Sequence, residues 1–156
     1  MRLVARTGSK REIVFGDDKP NNELSPVETV MTALAACSAM DVISILEKKR
    51  QVLTSYVIEV EGDQRDEYPQ VFTKIDVVHV IEGTVLLESA VRRAIELSAL
   101  KYCPVSAMIS AGATEVHHAY RMKCTGLEPK EAEGEVVITG PYRRPDIVGQ
   151  RAAEGG

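Results

Sequence analysis

The sequence predicts one α+β domain built around a long apolar helix. Its 156 residues match the usual size of a single domain with a core of its own. The predicted order of elements, ββ-α-ββ-α-α-β, differs from the regular alternation that produces a parallel βαβ array. Between Val30 and Leu46 the first helix is apolar on almost every side, and a small domain can hardly cover such a helix alone. We therefore expect a partner subunit, in a homodimer.

A β-hairpin is predicted at the N-terminal end, followed by the long helix. Two strands are expected within residues 2–15, because residues 11–15 (REIVF) are rich in β-branched and aromatic side chains and residues 7–10 (TGSK) favour a turn. Residues 25–28 (SPVE) then form a capping box with proline at the first helical position. The helix is predicted to run to about Arg50, a length of about 37 Å.

A second hairpin and a second helix are predicted next. Residues 54–61 and 70–81 have the composition of strands, and the polar turn GDQRDEYP lies between them. Thr84 is expected to cap an amphipathic helix that ends near Tyr102. Together these elements add an antiparallel pair of strands and an amphipathic helix whose apolar face can pack on them.

The last predicted elements are a short helix and one further strand. The helix is expected from Cys103 to Gly112, and the strand at residues 113–122. The composition then turns to Gly, Pro, Glu and Arg, with one short β-like island at residues 135–139. We therefore predict a domain over residues 1–124 and a C-terminal extension over residues 125–156 that is ordered in part at best.

Composition and charge exclude several classes of function. The formal charge of −4 is spread evenly, without the basic stripe of a nucleic-acid-binding protein. No apolar run is expected to reach the roughly 18 residues of a membrane span, and no signal peptide is recognised. No glycine-rich phosphate loop follows a strand, so a nucleotide cofactor is not expected. The three cysteines lack CxxC spacing, which argues against a disulfide scaffold and a zinc knuckle and favours a cytoplasmic protein whose disulfides are transient and catalytic.

Two of the cysteines lie in different helical settings. Cys37 is in the middle of the apolar helix, where we expect it to be buried. Cys103 precedes Pro104, so it can occupy the N-cap of the third helix, whose free N–H groups favour a thiolate. A buried thiol and an activated thiol that met in space would form a dithiol redox pair.

Other polar residues are candidates for supporting roles. Asp41 follows Cys37 by one helical turn and shares its face, where it could orient an arginine or form a salt bridge elsewhere. Glu28 is explained by the capping box but could also support the site. His117 and His118 point to opposite faces of a strand, and His118 is interpreted as a residue at the edge of the core. The remaining cysteine, at position 124, is interpreted as a bystander.

Two motifs resemble those of a known family. SPVETVMTALAACSAMDVISIL and LSALKYCPVSAMIS are similar to the two cysteine motifs of the OsmC/Ohr superfamily, the osmotically inducible and organic-hydroperoxide-resistance proteins. The resemblance covers roughly residues 8–122. It implies an OsmC-like intertwined homodimer, in which the long central helix is buried against antiparallel sheets from both subunits and the active sites lie at the dimer interface.

The resemblance also implies a reaction. Cys37 would attack the distal oxygen of an organic hydroperoxide and become a sulfenic acid, and Cys103 would condense with it to a disulfide. A small or protein-borne dithiol reductant would then open the disulfide. No cofactor or metal is implied, because the thiols carry the redox chemistry themselves.

The chain departs from the family pattern at two positions. The resemblance implies a glutamate directly after the helix-leading proline, where this chain has Val27, with Glu28 one position later. It also implies an arginine from the N-terminal hairpin that holds the Cys37 thiolate, and Arg6 and Arg11 flank the corresponding place.

The sequence therefore predicts a cytoplasmic, antioxidant, thiol-dependent peroxidase of the oxidative stress response. One alternative is a non-enzymatic dimer that binds a small apolar ligand at its interface, with cysteines that are not activated. A weaker one is a metal site formed by Cys37, Cys103 and a histidine.

Overall fold

The structure is a computed structural model that describes residues 2–16 and 24–140. Over these residues the chain forms six strands and three α-helices. In chain order they are β1 (Arg2–Arg6), β2 (Glu12–Gly16), α1 (Pro26–Lys48), β3 (Val52–Gln64), β4 (Phe72–Val85), α2 (Glu88–Leu97), α3 (Pro104–Ser110), β5 (Glu115–Cys124) and β6 (Lys130–Thr139). A single π-helical turn, Ser98–Tyr102, joins α2 to α3. The predicted α+β class is confirmed.

The N-terminal hairpin forms as predicted. β1 and β2 pair antiparallel, and Lys10 in the turn between them has a φ of 62°. Apolar side chains are exposed on both faces of this two-stranded unit, because Leu3 and its neighbour Val4 are 55% and 54% exposed. The hairpin makes few contacts with the rest of its own protomer. A two-stranded hairpin is marginally stable alone, so its apolar faces favour cover by another chain.

The other four strands form one mixed sheet in the order β3-β4-β5-β6. β3 and β4 pair antiparallel, as do β5 and β6, whereas β4 and β5 run parallel. The predicted antiparallel pairing holds for the β3–β4 hairpin, and the sheet is corrected to mixed at its central pair, which is parallel. The reason is the crossover through α2 and α3, which returns the chain to the starting end of β4 before β5 begins.

The long helix α1 begins at the predicted capping box. The Glu28 backbone N–H donates to Ser25 Oγ at 3.2 Å, and the Ser25 N–H donates to Glu28 Oε2 at 2.8 Å. One face is buried at helical spacing, through Leu34, Ala35, Ser38, Val42 and Leu46. The other side remains open to solvent in the protomer, where Met40 is 73% exposed.

Helix α1 is also long and apolar enough to cross a membrane by length and composition. Its most apolar window has a mean hydropathy of 1.8, and 28% of that window is buried in the protomer. The expectation that no apolar run would reach this length is therefore wrong. A core helix in a soluble protein has the same composition, so the finding is weak evidence for a membrane.

The second helix begins later than the sequence predicts. Thr84 does not cap it, because β4 continues to Val85, which pairs with Val52. The N-cap position belongs to Leu87, whose backbone N–H donates to Gln51 Oε1 at 2.6 Å. Thr84, which the local pattern predicted as the cap of this helix, is therefore a residue of strand β4.

The β-like island near the C-terminus is longer than predicted. β6 spans Lys130–Thr139 and pairs along its length with β5, so the sheet continues beyond Cys124. The division of the chain into residues 1–124 and an extension stays a prediction. Its last part, residues 141–156, lies outside the described residues.

The inner face of the sheet carries two apolar clusters beneath the helices. One contains Leu34, Ile75, Val77, Cys103 and Val116, and the other is built around Val42, Leu46, Ile81, Ile95 and Met122. Polar side chains are also fully buried on α1, in the π-turn and on the sheet. They are Ser38, Ser98, His79 and His118.

Candidate functional site

Helix α1 supplies two side chains to the candidate site, and the start of α3 supplies the third. Cys37 and Asp41 lie one turn apart in the middle of α1, on the same face. Cys103 occupies the N-cap of α3, where its Sγ accepts a hydrogen bond from the Ser106 backbone N–H at 3.3 Å. The predicted N-cap position of Cys103 is confirmed.

These three side chains meet. The two sulfur atoms and a carboxylate oxygen of Asp41 all lie within 4.8 Å of one another. All three cysteines of the chain, Cys124 included, are free thiols in this state. The fold thus brings together the two thiols that the sequence proposed as a pair, while their roles in a reaction stay predictions.

The exposure of the two thiols is the reverse of the expectation. Cys103 is 3% exposed, whereas Cys37 is half-buried in the protomer. Burial raises the pKa of the Cys103 thiol to about 12, and the neighbouring Cys37 adds to the rise. The Ser106 N–H acts in the opposite direction but is outweighed. The expectation that the helix start activates Cys103 is therefore wrong, because desolvation dominates over the donors of a seven-residue helix.

The Asp41 carboxylate is held by a serine from the π-turn. Ser98 Oγ donates to Asp41 Oδ2 at 3.1 Å, and Ser38 Oγ lies 3.3 Å from Ser98 Oγ. Because the single Ser98 proton is directed to the carboxylate, Ser38 donates to Ser98. Among the residues described by the structure, Asp41 forms no salt bridge, so this serine pair provides the partner that a partly buried acid requires.

The two candidate arginines lie on the N-terminal hairpin. Arg6 pairs with Glu12 across the hairpin, with Nε 2.9 Å from Oε1, and its side chain is 69% exposed. Arg11, beside the turn, is exposed as well. Because the hairpin hardly contacts its own α1, an arginine at Cys37 requires the hairpin of a second subunit. That role stays a prediction for both residues.

Glu28 is held at the start of α1. Its hydrogen bonds with Ser25 lower the pKa of the Glu28 carboxyl. Nine residues separate it from Cys37, which places the two on opposite sides of the helix at about 100° per residue. The capping role is confirmed, and a further role in the site stays a prediction.

Two buried histidines lie on the sheet beneath the helices, and sequence reasoning missed one of them. The rings of His79 and His118 stack with centroids 6.0 Å apart. Burial lowers the pKa of His79 to about 3, and the neighbouring His118 is a smaller cause. Burial likewise lowers the pKa of His118 to about 4, with His117 as the smaller cause. The alternating strand pattern KIDVVHVI places His79 on the same buried face as Ile75, and this alternation could have predicted its burial from the sequence.

Neither histidine is fully satisfied within the described part of the chain. Tyr56 Oη lies 2.5 Å from His79 Nδ1 and donates to it, because burial raises the pKa of the phenol. The His79 proton is therefore on Nε2, which lacks a hydrogen-bond partner, as do both ring nitrogens of His118. The expected place of His118 near the edge of the core is corrected to full burial, and neither histidine belongs to the cluster of Cys37 and Cys103.

A groove of about 350 Å³ adjoins Asp41. Its walls combine apolar side chains with two cations, and they comprise Asp41, Ser44, Ile45, Lys48, Lys49, Leu97 and Tyr102. The groove offers a small molecule an approach to the site from the side of Asp41. Cys124 packs in the other apolar cluster, with its Sγ 3.7 Å from the Thr84 carbonyl oxygen, so it is not one of the clustered thiols.

An α+β protomer with two adjacent thiols, one on a long apolar helix and one at a helix N-cap, defines a class of dithiol proteins. The OsmC-like protein family matches residues 16–119 of this chain. The chain belongs to this family, as its two cysteine motifs predict.

Individual relatives agree with this assignment. Protein YhfA of Escherichia coli K12 is 34% identical over 122 residues, which cover 78% of this chain and 90% of that protein. A hypothetical protein from Aquifex aeolicus is 28% identical and aligns with a TM-score of 0.67 over 80% of this chain and 96% of its own. An organic hydroperoxide resistance protein OsmC from Legionella pneumophila shares the fold, with 14% identity and a TM-score of 0.55 over 77% and 94% of the two chains. Two structural relatives, from Legionella pneumophila and Vibrio cholerae, are named for organic hydroperoxide resistance.

Proposed function

We propose that this protein is a thiol-dependent peroxidase that reduces organic hydroperoxides. The single observation that carries the proposal is the adjacency of Cys37 and Cys103, whose sulfur atoms lie within 4.8 Å of each other and differ in exposure. Family membership and the names of several structural relatives support the same reaction.

The more accessible thiol reacts first. The Cys37 thiolate attacks the distal oxygen of the hydroperoxide, the O–O bond breaks, and the alkoxide leaves and takes a proton to become an alcohol. Cys37 is then a sulfenic acid. Because burial holds the Cys103 thiol protonated, it does not compete for the oxidant in this step.

Cys103 then resolves the sulfenic acid. Its sulfur attacks Cys37 Sγ, the S–S bond forms, and the sulfenic hydroxyl leaves with the Cys103 proton as water. A dithiol reductant, small or protein-borne, reduces the disulfide to two thiols and becomes oxidised. The sum is one hydroperoxide and one dithiol converted to one alcohol, one water and one disulfide.

Asp41 is proposed as the proton carrier of the first step. A fixed carboxylate beside a thiol opposes ionisation of that thiol unless the carboxylate takes up the proton itself. Asp41 lies within reach of Cys37 and is oriented by Ser98, so it can accept the Cys37 proton and return it to the leaving alkoxide. This route does not require the acid that Val27 replaces.

The preferred substrate is organic because the approach to the site is largely apolar. Ile45, Leu97 and Tyr102 line the groove beside Asp41 and favour a carbon chain over hydrogen peroxide. Lys48 and Lys49 at its far end suit an anionic group on the same chain.

The working form is proposed to be an intertwined homodimer in the cytoplasm, acting in the oxidative stress response. The open side of α1 and both faces of the hairpin expose apolar side chains that a second copy would cover. The same arrangement would bring Arg6 or Arg11 of one subunit toward Cys37 of the other.

The test is a thiol count on reduced protein before and after one equivalent of cumene hydroperoxide, with hydrogen peroxide in parallel and Cys124→Ser as the control. We expect rapid loss of two thiols per chain, a Cys37–Cys103 disulfide in the peptide map, and preference for the organic oxidant. Slow loss without that disulfide would reject the proposal.

A second candidate is a dimer that binds a small apolar ligand without turnover. The raised pKa of Cys103 and the valine at position 27 favour a site that is not activated. In that case ligand binding would survive substitution of both cysteines, which separates the two functions.

A further inference from the structure

We infer that the reduced thiols of Cys37 and Cys103 form, with the Asp41 carboxylate, a binding site for a thiophilic divalent cation such as Zn²⁺. Their three ligand atoms lie within 4.8 Å of one another, on α1 and at the N-cap of α3. The resemblance implied no metal, so this inference revises that expectation. It also differs from the weaker alternative of a metal site with a histidine, because the third ligand is the aspartate.

The donor chemistry suits zinc. Zinc takes thiolate sulfur at about 2.3 Å and carboxylate oxygen at about 2.0–2.2 Å, usually in tetrahedral geometry. Tetrahedral ligands at those bond lengths lie about 3.5–3.8 Å apart, so the three atoms need to approach by roughly an ångström at most. Small rotations of the side chains supply this, since Cys37 and Asp41 are only half-buried.

The surroundings hold the ligands in place. Ser98 donates to Asp41 Oδ2 and so orients the carboxylate, and buried Ser38 supports Ser98 in turn. The Cys103 sulfur is fixed by the Ser106 N–H. Hydrogen bonds of this kind orient metal ligands and contribute to affinity.

Three protein ligands leave one coordination position open. Binding converts two thiols to thiolates and releases two protons to the solvent, while the cation keeps its oxidation state. The bound metal engages the sulfur lone pairs that would otherwise attack a hydroperoxide. Formation of the Cys37–Cys103 disulfide removes two ligands and expels the metal, so metal occupancy reports the redox state of the two cysteines. This coupling rests on the proposed function, whereas the metal site itself does not.

The test uses full-length protein, reduced and stripped with a chelator under anaerobic conditions. Co²⁺ serves as the spectroscopic probe, through its sulfur-to-cobalt charge-transfer bands, and Zn²⁺ is titrated in competition with a chromophoric chelator. We expect one metal per chain, thiolate-to-cobalt bands, and loss of both signals in Cys37→Ser and Cys103→Ser. Asp41→Asn should weaken Zn²⁺ binding at least tenfold, and Ser98→Ala by about ten- to a hundredfold.

Two matched controls address unspecific binding. Cys124→Ser removes a thiol outside the cluster and Glu28→Gln removes an acid on the opposite side of α1, and both should bind Zn²⁺ like the parent protein. Circular dichroism and melting temperature verify that each variant is folded. Equal Zn²⁺ affinity in the parent protein and Asp41→Asn, or binding lost through Cys124→Ser, would overturn the site.

The outcome is independent of peroxidase activity. If the thiol count with cumene hydroperoxide fails while Zn²⁺ still binds through Cys37, Cys103 and Asp41, the metal site stands and the proposed function falls. For the redox coupling, a disulfide formed with diamide should release the metal stoichiometrically.

Discussion

Ser98 Oγ donates a hydrogen bond to Asp41 Oδ2 at 3.1 Å, which ties the π-turn before α3 to the middle of α1. The bond orients the carboxylate beside both thiols and connects it to the buried hydroxyl of Ser38. The orientation of the carboxylate beside the two thiols thus depends on Ser98, a residue of the second cysteine motif for which the sequence predicted no role.

Removal of this hydroxyl should therefore slow the reaction without removing a thiol. Ser98→Ala is expected to lower the rate of Cys37–Cys103 disulfide formation about tenfold, because a misplaced proton carrier loses part of the 10²–10⁴-fold that general acid–base catalysis contributes. Stopped-flow thiol loss with cumene hydroperoxide measures the rate. Ser89→Ala, an exposed serine in the first turn of α2, is the matched control. An unchanged rate in Ser98→Ala would contradict the positioning role.

Substitution of each clustered cysteine should separate the two steps. Cys103→Ser is expected to accumulate a sulfenic acid at Cys37, trapped as a dimedone adduct, because the resolving sulfur is absent. Cys37→Ser should form no adduct with one equivalent of oxidant, since Cys103 and Cys124 are both buried and Cys103 is held protonated. Mass spectrometry of peptides reads both results. A dimedone adduct at Cys103 in Cys37→Ser would reverse the assigned order.

The buried histidines should make the fold sensitive to acid. Their pKa values are lowered from 6.5 to about 3 in His79 and about 4 in His118, so below pH 6.5 the unfolded chain binds protons that the folded chain does not. The stability that they contribute is present above pH 6.5 and is lost as the pH falls toward about 4 for His118 and about 3 for His79. The slope approaches about 2.7 kcal/mol per pH unit, because each of the two protons contributes about 1.4 kcal/mol per unit.

A variant series isolates this effect from the carboxylates. His118→Leu should reduce the slope of unfolding free energy against pH by about half between pH 4 and 6, because one of the two titrating groups is removed. It should cost little at neutral pH, since both nitrogens of His118 lack partners within the described chain. His117→Gln removes only the smaller cause of the lowered His118 pKa, so it should change the slope much less than His118→Leu does. Urea unfolding at several pH values gives the slopes, and an unchanged slope in His118→Leu would refute the account.

A charge on the open side of α1 should disrupt the proposed dimer. Met40 is 73% exposed in the protomer, and a second copy covering it would have to bury the new ammonium group of Met40→Lys. An unpaired buried charge costs several kcal/mol, so dimer affinity should fall at least a hundredfold. Light scattering after size exclusion measures the mass. Leu127→Lys, at a fully exposed leucine beyond β5, serves as control, and a Met40→Lys variant that remains dimeric would place the interface elsewhere.

Local signals in the sequence determined several elements correctly. The capping box at Ser25, the turn between β1 and β2, and the N-cap position of Cys103 each depend on residues within four positions of one another. Because capping and turn chemistry act over that range, the sequence specifies them without knowledge of the rest of the fold. The two cysteine motifs added the family, which the comparisons confirm.

Tertiary structure alone decided the properties of the site. It made Cys103 the deeply buried thiol and left Cys37 half open, which reversed the expected activation. It also gave Asp41 a serine partner 57 residues away and placed Thr84 within a strand. Burial and long-range pairing depend on which elements cover a residue after the chain has folded, so a pattern over a few neighbouring positions cannot supply them.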